Sequence, residues 1–127
     1  MRRNILLVED NQELAAMIKV MLAHENYEVT LCLNPQQCVE QAKVLKPGLI
    51  LMDIMMPDQS GADTVKILQE KEETKNIPVI FLTALLSQGD EMDKHGIKVG
   101  SSTYKVLAKP IDFKILLKEI KKHMRTL

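Results

Sequence analysis

Neither sign of charge is in excess. Lys plus Arg and Asp plus Glu number 17 each, and a chain with no overall field has no general attraction for nucleic acid or an anionic membrane. Cysteine is scarce. Cys32 and Cys38 are the only two; they lack metal-ligand spacing, and the N-terminus lacks a secretory pattern. A disulfide scaffold and a structural zinc are therefore excluded, both thiols are expected to pack, and a reduced, cytoplasmic setting is expected. No apolar run approaches the roughly 18 residues of a membrane span, so no membrane insertion is expected. Linkers, tails, internal repeats and low-complexity segments are also missing. The 127 residues fit one ordinary domain, 1–127, with no room for a second, output module. Function must then come from a local site.

What is there alternates. "NILLV" (4–8) is a short apolar run, followed by helical spacing of Leu14, Ile18, Met21 and Leu22. "YEVTLCL" (27–33) reads as a second strand, and Asn34-Pro35 supplies a cap and first-turn proline for the helix "QQCVEQAKVLK". "GLILM" (48–52) is a third strand, "SGADTVKILQEKEE" a third helix, and "IPVIFLT" (77–83) a fourth strand. A fourth helix is expected over Ser87 to Lys98, weakened by Gly96 and Gly100. "TYKVLA" (103–108) is the fifth strand, and Phe113, Leu116, Leu117, Ile120 and Met124 form the apolar stripe of a fifth helix. Strands alternating with helices predict an α/β, doubly wound, five-stranded parallel sheet in one three-layer domain. Its expected order is 2-1-3-4-5, with apolar strands covered on both faces.

That order reverses between the first and third strands, where open α/β sheets hold ligands beyond the carboxyl ends of the strands. The first strand ends in Glu9-Asp10, the third in Asp53, and the fourth in Thr83; the fifth runs into Lys109-Pro110. Three carboxylates in one crevice repel one another unless a cation joins them. Hard oxygen ligands with room for water suit Mg²⁺. Asp10 and Asp53 are assigned as direct ligands, Met55 through its backbone carbonyl, and Glu9 through water. Lys109 supplies a fixed positive charge to pair with Asp53, and Thr83 a hydroxyl donor. A carboxylate nucleophile, a metal and a lysine are the parts of phosphoryl transfer.

Over essentially its whole length the sequence resembles the receiver domain of two-component response regulators. The resemblance rests on "ILLVED", "LILMDIMMPDQSG", "VIFLTA" and "LAKPID", in that order. It implies a flavodoxin-like fold and Mg²⁺-dependent transfer of a phosphoryl group to Asp53 from the phosphohistidine of a sensor kinase or histidine phosphotransfer protein. It also implies a cis Lys109-Pro110 bond, and a loop after the acceptor shaped by Pro57 and Gly61. Aspartyl phosphorylation adds about −1.5 to −2 charges at one point. In the family, Thr83 then swings toward the phosphoryl oxygens and an aromatic residue on the fifth strand turns inward. That reshapes the face of the fourth helix, fifth strand and fifth helix, which controls a partner or output domain.

Two departures bear on this. Val106 stands where the family has Tyr or Phe, three residues before Lys109; Tyr104, two residues earlier on the same strand face, is the candidate replacement. The segment between Thr83 and Lys109 is also longer than usual. Met55 and Leu85, at the positions that help or hinder attacking water, are apolar, which predicts a slowly hydrolysing phosphorylated form. His24, His95 and His123 read as surface or packing residues, and the methionines as core fillers. Lys114, Lys118, Lys121, Lys122 and Arg125 give the last helix a basic side, a solvated face or a surface for an acidic partner. The alternatives from other classes are a receiver-like scaffold that works without phosphate, a flavodoxin-like binding domain, and a haloacid-dehalogenase-type phosphatase. The phosphatase would need an aspartate where Met55 stands. A flavin site would need a phosphate-cradling loop where "EDNQE" is acidic and has no glycine.

Overall fold

The protein was analysed as a computed structural model that describes residues 3–54, 60–84 and 96–124. The elements run β1 (Asn4–Val8), α1 (Gln12–Ala23), β2 (Glu28–Cys32), α2 (Pro35–Leu45), β3 (Leu49–Asp53), α3 (Gly61–Gln69), β4 (Val79–Thr83), β5 (Ile97–Val99), β6 (Ser102–Ala108) and α4 (Phe113–His123). Each helix starts at a side chain that takes up an orphan backbone N–H: Asn11 accepts from Leu14, Asn34 from Gln37, Ser60 from Asp63, and Asp112 from Lys114 and Ile115. Pro35 fills the first turn of α2, as the Asn34-Pro35 pair predicts.

The sheet order is β2-β1-β3-β4-β6-β5. The first five strands are parallel and keep the expected order, with β6 in the place of the fifth strand. The sixth is a correction. β5 pairs antiparallel with β6 at the edge, Ile97 opposite Tyr104 and Val99 opposite Ser102. Ile97 and Lys98, assigned to a fourth helix, are therefore strand; the remainder of that helix, 87–95, lies outside the described residues. Gly100-Ser101 is the two-residue link of a hairpin, a Gly-Ser pair with its glycine at φ +63°. Gly96 sits at φ +113°, where a Cβ would lie 2.0 Å from the carbonyl oxygen of Tyr104. Both glycines weaken a helix; Gly100 suits the turn, and Gly96 suits the close approach to β6 at the other end of β5. Among the described residues there are thus six strands rather than five, and four helices. None of these helices is long and apolar enough to cross a membrane.

Alternate residues of the central strands feed two cores. Ile5, Leu7, Leu49, Leu51, Ile80 and Leu82 meet α1 and α4 through Ile18, Leu22, Leu116 and Ile120. Leu6, Val8, Ile50, Met52 and Phe81 face the other way, onto α2 and α3 through Cys38, Val39, Val65 and Leu68. Every residue of β3 and β4 is buried, which explains why these strands read as unbroken apolar runs. Each buried Val, Leu, Ile, Phe or Met of these strands contributes roughly 1.5–3 kcal/mol of transfer free energy. Held this way on both faces, the strand ends have little freedom to move, and the polar residues at those ends are set in position.

Candidate functional site

Asp53 is the last residue of β3, buried to 4% exposure. Thr83 closes β4 and is fully buried. Its backbone carbonyl accepts from the Lys109 N–H at 2.8 Å, carrying the β4–β6 ladder one step past Ala108 and bringing the lysine to the site. The Lys109-Pro110 bond is cis, as the resemblance implies. Glu9 follows β1 and is 1% exposed, while Asp10 beside it faces solvent.

These groups converge. Lys109 Nζ lies 2.7 Å from Glu9 Oε1 and 3.1 Å from Asp53 Oδ2. Its bond to Asp53 is a well-formed hydrogen bond across 56 residues of sequence. The contact with Glu9 is shorter but off the hydrogen-bonding direction, so buried Glu9 Oε1 has an opposite charge nearby and no aligned donor. Glu9 Oε2 accepts from the Asn11 N–H at 3.0 Å. Burial pushes the Glu9 carboxyl above its ordinary range; Lys109 and the Asn11 N–H pull it back, and the Asp53 charge adds to the rise. Burial acts to lower the Lys109 ammonium, but the negative carboxylates of Glu9 and Asp53 beside it outweigh that and its pKa is raised.

Glu9, Asp10 and Asp53 can each offer one oxygen within 4.8 Å of the others. Among the described residues three carboxylates meet one ammonium, and a hard divalent cation is the natural counterion for that excess of negative charge. The misaligned, buried Glu9 oxygen points to the same gap. This donor set fits Mg²⁺.

The end of β3 is also buttressed from beyond the loop. Gly61 donates its N–H to the Ile54 carbonyl at 2.8 Å, and a Cβ on Gly61 would lie 2.6 Å from the backbone oxygen of Asp53. The sequence reading gave Gly61 a conformational role, whereas its contact is one of close approach, which no local pattern announces. Tyr104 and Val106 do share a face of β6, both half-buried on the α2–α3 side. Met55, Pro57, Leu85 and His95 lie outside the described residues. His24 is exposed at the end of α1, and the His123 ring meets the Glu119 carbonyl at 2.8 Å. Cys32 and Cys38 are free and buried, as expected of packing thiols.

Known proteins resemble this chain in sequence and fold. Residues 5–121 match the family described as the response regulator receiver domain. Over 124 residues the chain is 31% identical to the polar-differentiation response regulator DivK of Brucella anthropi, covering 98% of each. It is 34% identical over 126 residues to the phosphate regulon transcriptional regulatory protein PhoB of Klebsiella pneumoniae, but spans only 53% of that protein. Among solved structures, the receiver domain of the sensor histidine kinase PA1611 from Pseudomonas aeruginosa, with magnesium coordinated in its active-site cleft, superposes with a TM-score of 0.84 at 29% identity. That match covers 99% of this chain and 100% of that one. With the family model matching nearly the whole chain and a relative 31% identical across it, the chain belongs to the response regulator receiver domain family of two-component signal transduction.

Proposed function

We propose that this receiver accepts a phosphoryl group on Asp53 from the phosphohistidine of a sensor histidine kinase or histidine phosphotransfer protein, in the cytoplasm. The observation that supports it most directly is the position of Lys109 Nζ between Asp53 Oδ2 and Glu9 Oε1. A carboxylate oxygen of Asp53 attacks phosphorus, the P–O bond forms, the P–N bond breaks, and the imidazole leaves to take up a proton from water. β3 presents the attacking oxygen at a fixed strand end. Lys109 stands beside it to take charge from the transferring oxygens, and the Thr83 hydroxyl is assigned as a further donor to them. Asp10 and Asp53 would hold Mg²⁺, with the Met55 carbonyl and, through water, Glu9; the ion would supply neutralisation of the phosphoryl oxygens.

The output follows from the added charge. The α4–β6 face, with the segment before β6, is the surface offered to a downstream protein or output domain. Apolar Met55 and Leu85 make the phosphorylated form long-lived, and exchanging them for Asn and Glu shortens its lifetime. The deciding experiment treats the protein with acetyl phosphate and Mg²⁺ and weighs it intact. A phosphate-sized gain in mass is expected in the unmodified chain and none in Asp53→Asn; no gain in either disproves the reading.

A further inference from the structure

Tyr104 is the aromatic residue offered in place of the missing one at 106, and its surroundings hold it still. Its ring stands edge-on to fully buried Phe81, with centroids 5.8 Å apart and planes at 86°. Its hydroxyl accepts from Gln69 Nε2 at 2.8 Å, and the same nitrogen donates to the Val99 carbonyl at 3.0 Å. A carbonyl can only accept, so this second bond fixes which end of the amide faces the hairpin. The Gln69 oxygen lies against Gly100, where a Cβ would approach it to 2.9 Å. One side chain at the end of α3 therefore grips both strands of the β5–β6 hairpin and its turn.

The other end of α3 abuts the phosphoacceptor strand through the Gly61 contacts with Ile54 and Asp53. Between the two ends runs a helix of nine residues, a stiff rod of about 13 Å. We infer that α3 carries the chemical state of Asp53 to the β5–β6 hairpin, with Gln69 as the coupling residue and Tyr104 as a fixed anchor rather than a rotating lever. This rests on Asp53 being the phosphoacceptor. A dianionic group added there acts on the partial positive charge of the α3 N-terminus. Packing against the sheet makes the helix respond as a unit, and the amide grip passes the displacement to the hairpin.

Amide NMR spectra with and without beryllium fluoride plus Mg²⁺, a stable mimic of the aspartyl phosphate, test the relay. In the unmodified chain, resonances of Gly61, Gln69, Val99, Gly100 and Ser102 are expected to move. In Gln69→Leu, which keeps side-chain bulk and helix preference, Gly61 still moves and the hairpin response falls by about half or more, because both grips are gone. Tyr104→Phe removes one grip and gives an intermediate loss. Without any ligand, amides of the 97–104 hairpin exchange with solvent about tenfold faster in Gln69→Leu. An undiminished hairpin response in Gln69→Leu overturns the relay, as does an unmodified chain whose hairpin stays unmoved while Gly61 shifts. Silence at Ile54 and Gly61, together with no mass gain from acetyl phosphate, brings down the phosphoacceptor reading itself.

Discussion

The acid-lined strand ends and the hairpin edge are both assembled from distant parts of the chain. Lys109 reaches Asp53 across 56 residues, and Gln69 reaches Tyr104 across 35. They differ in how completely their polar groups are matched. At the strand ends, among the described residues, three carboxylates share one ammonium, and a buried Glu9 oxygen has no aligned donor. At the edge, the Gln69 nitrogen spends its donors on Val99 and Tyr104, and the ring of Tyr104 rests on Phe81. Unmatched charge is held by the surrounding fold and is relieved when a ligand arrives. Matched, neutral hydrogen bonds have nothing to gain from a ligand and serve to join elements mechanically. The contrast separates the place proposed to react from the place proposed to transmit.

Truncating the residue that underlies the edge should have the largest effect. Phe81 is fully buried, so Phe81→Ala is expected to cost about 3–5 kcal/mol in denaturant unfolding. It should also free the Tyr104 ring; a cost below about 1 kcal/mol would mean that the edge is not built on this contact. The strand ends should answer to metal instead. Mg²⁺ at a hundred times its dissociation constant is expected to stabilise the fold by about 2.7 kcal/mol, and Asp10→Asn should remove most of that gain. Thermal melts with and without the ion read this directly.

Two glycines then sharpen the comparison. Gly61→Ala pushes a methyl group into the Asp53 carbonyl and should cost about 1–3 kcal/mol while slowing phosphoryl uptake. Gly100→Ala strains a backbone at φ +63° and should cost about 1–2 kcal/mol. Its uptake should be unchanged, because the chemistry lies at the other end of α3. Equal uptake by both variants would erase the distinction between the two regions.

The smallest effect concerns the thiols. Burial pushes Cys32 up to about 11, and burial with the neighbouring Cys32 pushes Cys38 up to about 12, from an ordinary value near 9.0. Both should resist iodoacetamide in the native protein at pH 8 and react on unfolding. Above about pH 9 the unfolded chain loses thiol protons that the native chain keeps. Stability should therefore fall as pH rises through that window, and a Cys32→Ser, Cys38→Ser double variant should show a shallower fall.

The acid-lined strand ends were legible in the sequence because each of their residues sits next to a strong local signal. Glu9, Asp10, Asp53 and Thr83 end apolar runs, and Lys109 precedes a proline, so predicting the strands also predicted where those side chains would stand. The hairpin edge was not legible in that way. Gly96 and Gly100 register as helix breakers, and only their pairing with an antiparallel neighbour shows them to be the ends of a short strand. Gln69 looks like any polar residue closing an amphipathic helix. Its partners, Val99 and Tyr104, cannot be named until the sheet has brought β6 beside β4 and the hairpin has folded over it.

Hydrophobic periodicity and strand-terminal polar residues were enough to determine the parallel α/β layering and to put acids and a lysine at strand ends, while the order of the five parallel strands was an expectation in keeping with the family resemblance, which the structure bears out. The layering and the polar strand ends follow from near-neighbour patterns that any chain with this spacing must bury in the same sense. The sixth strand, the close seat of Gly61 on Asp53 and the Gln69 grip were decided by the tertiary structure alone. They depend on contacts between faces of different elements, where a few tenths of an ångström and the direction of one amide settle which groups meet.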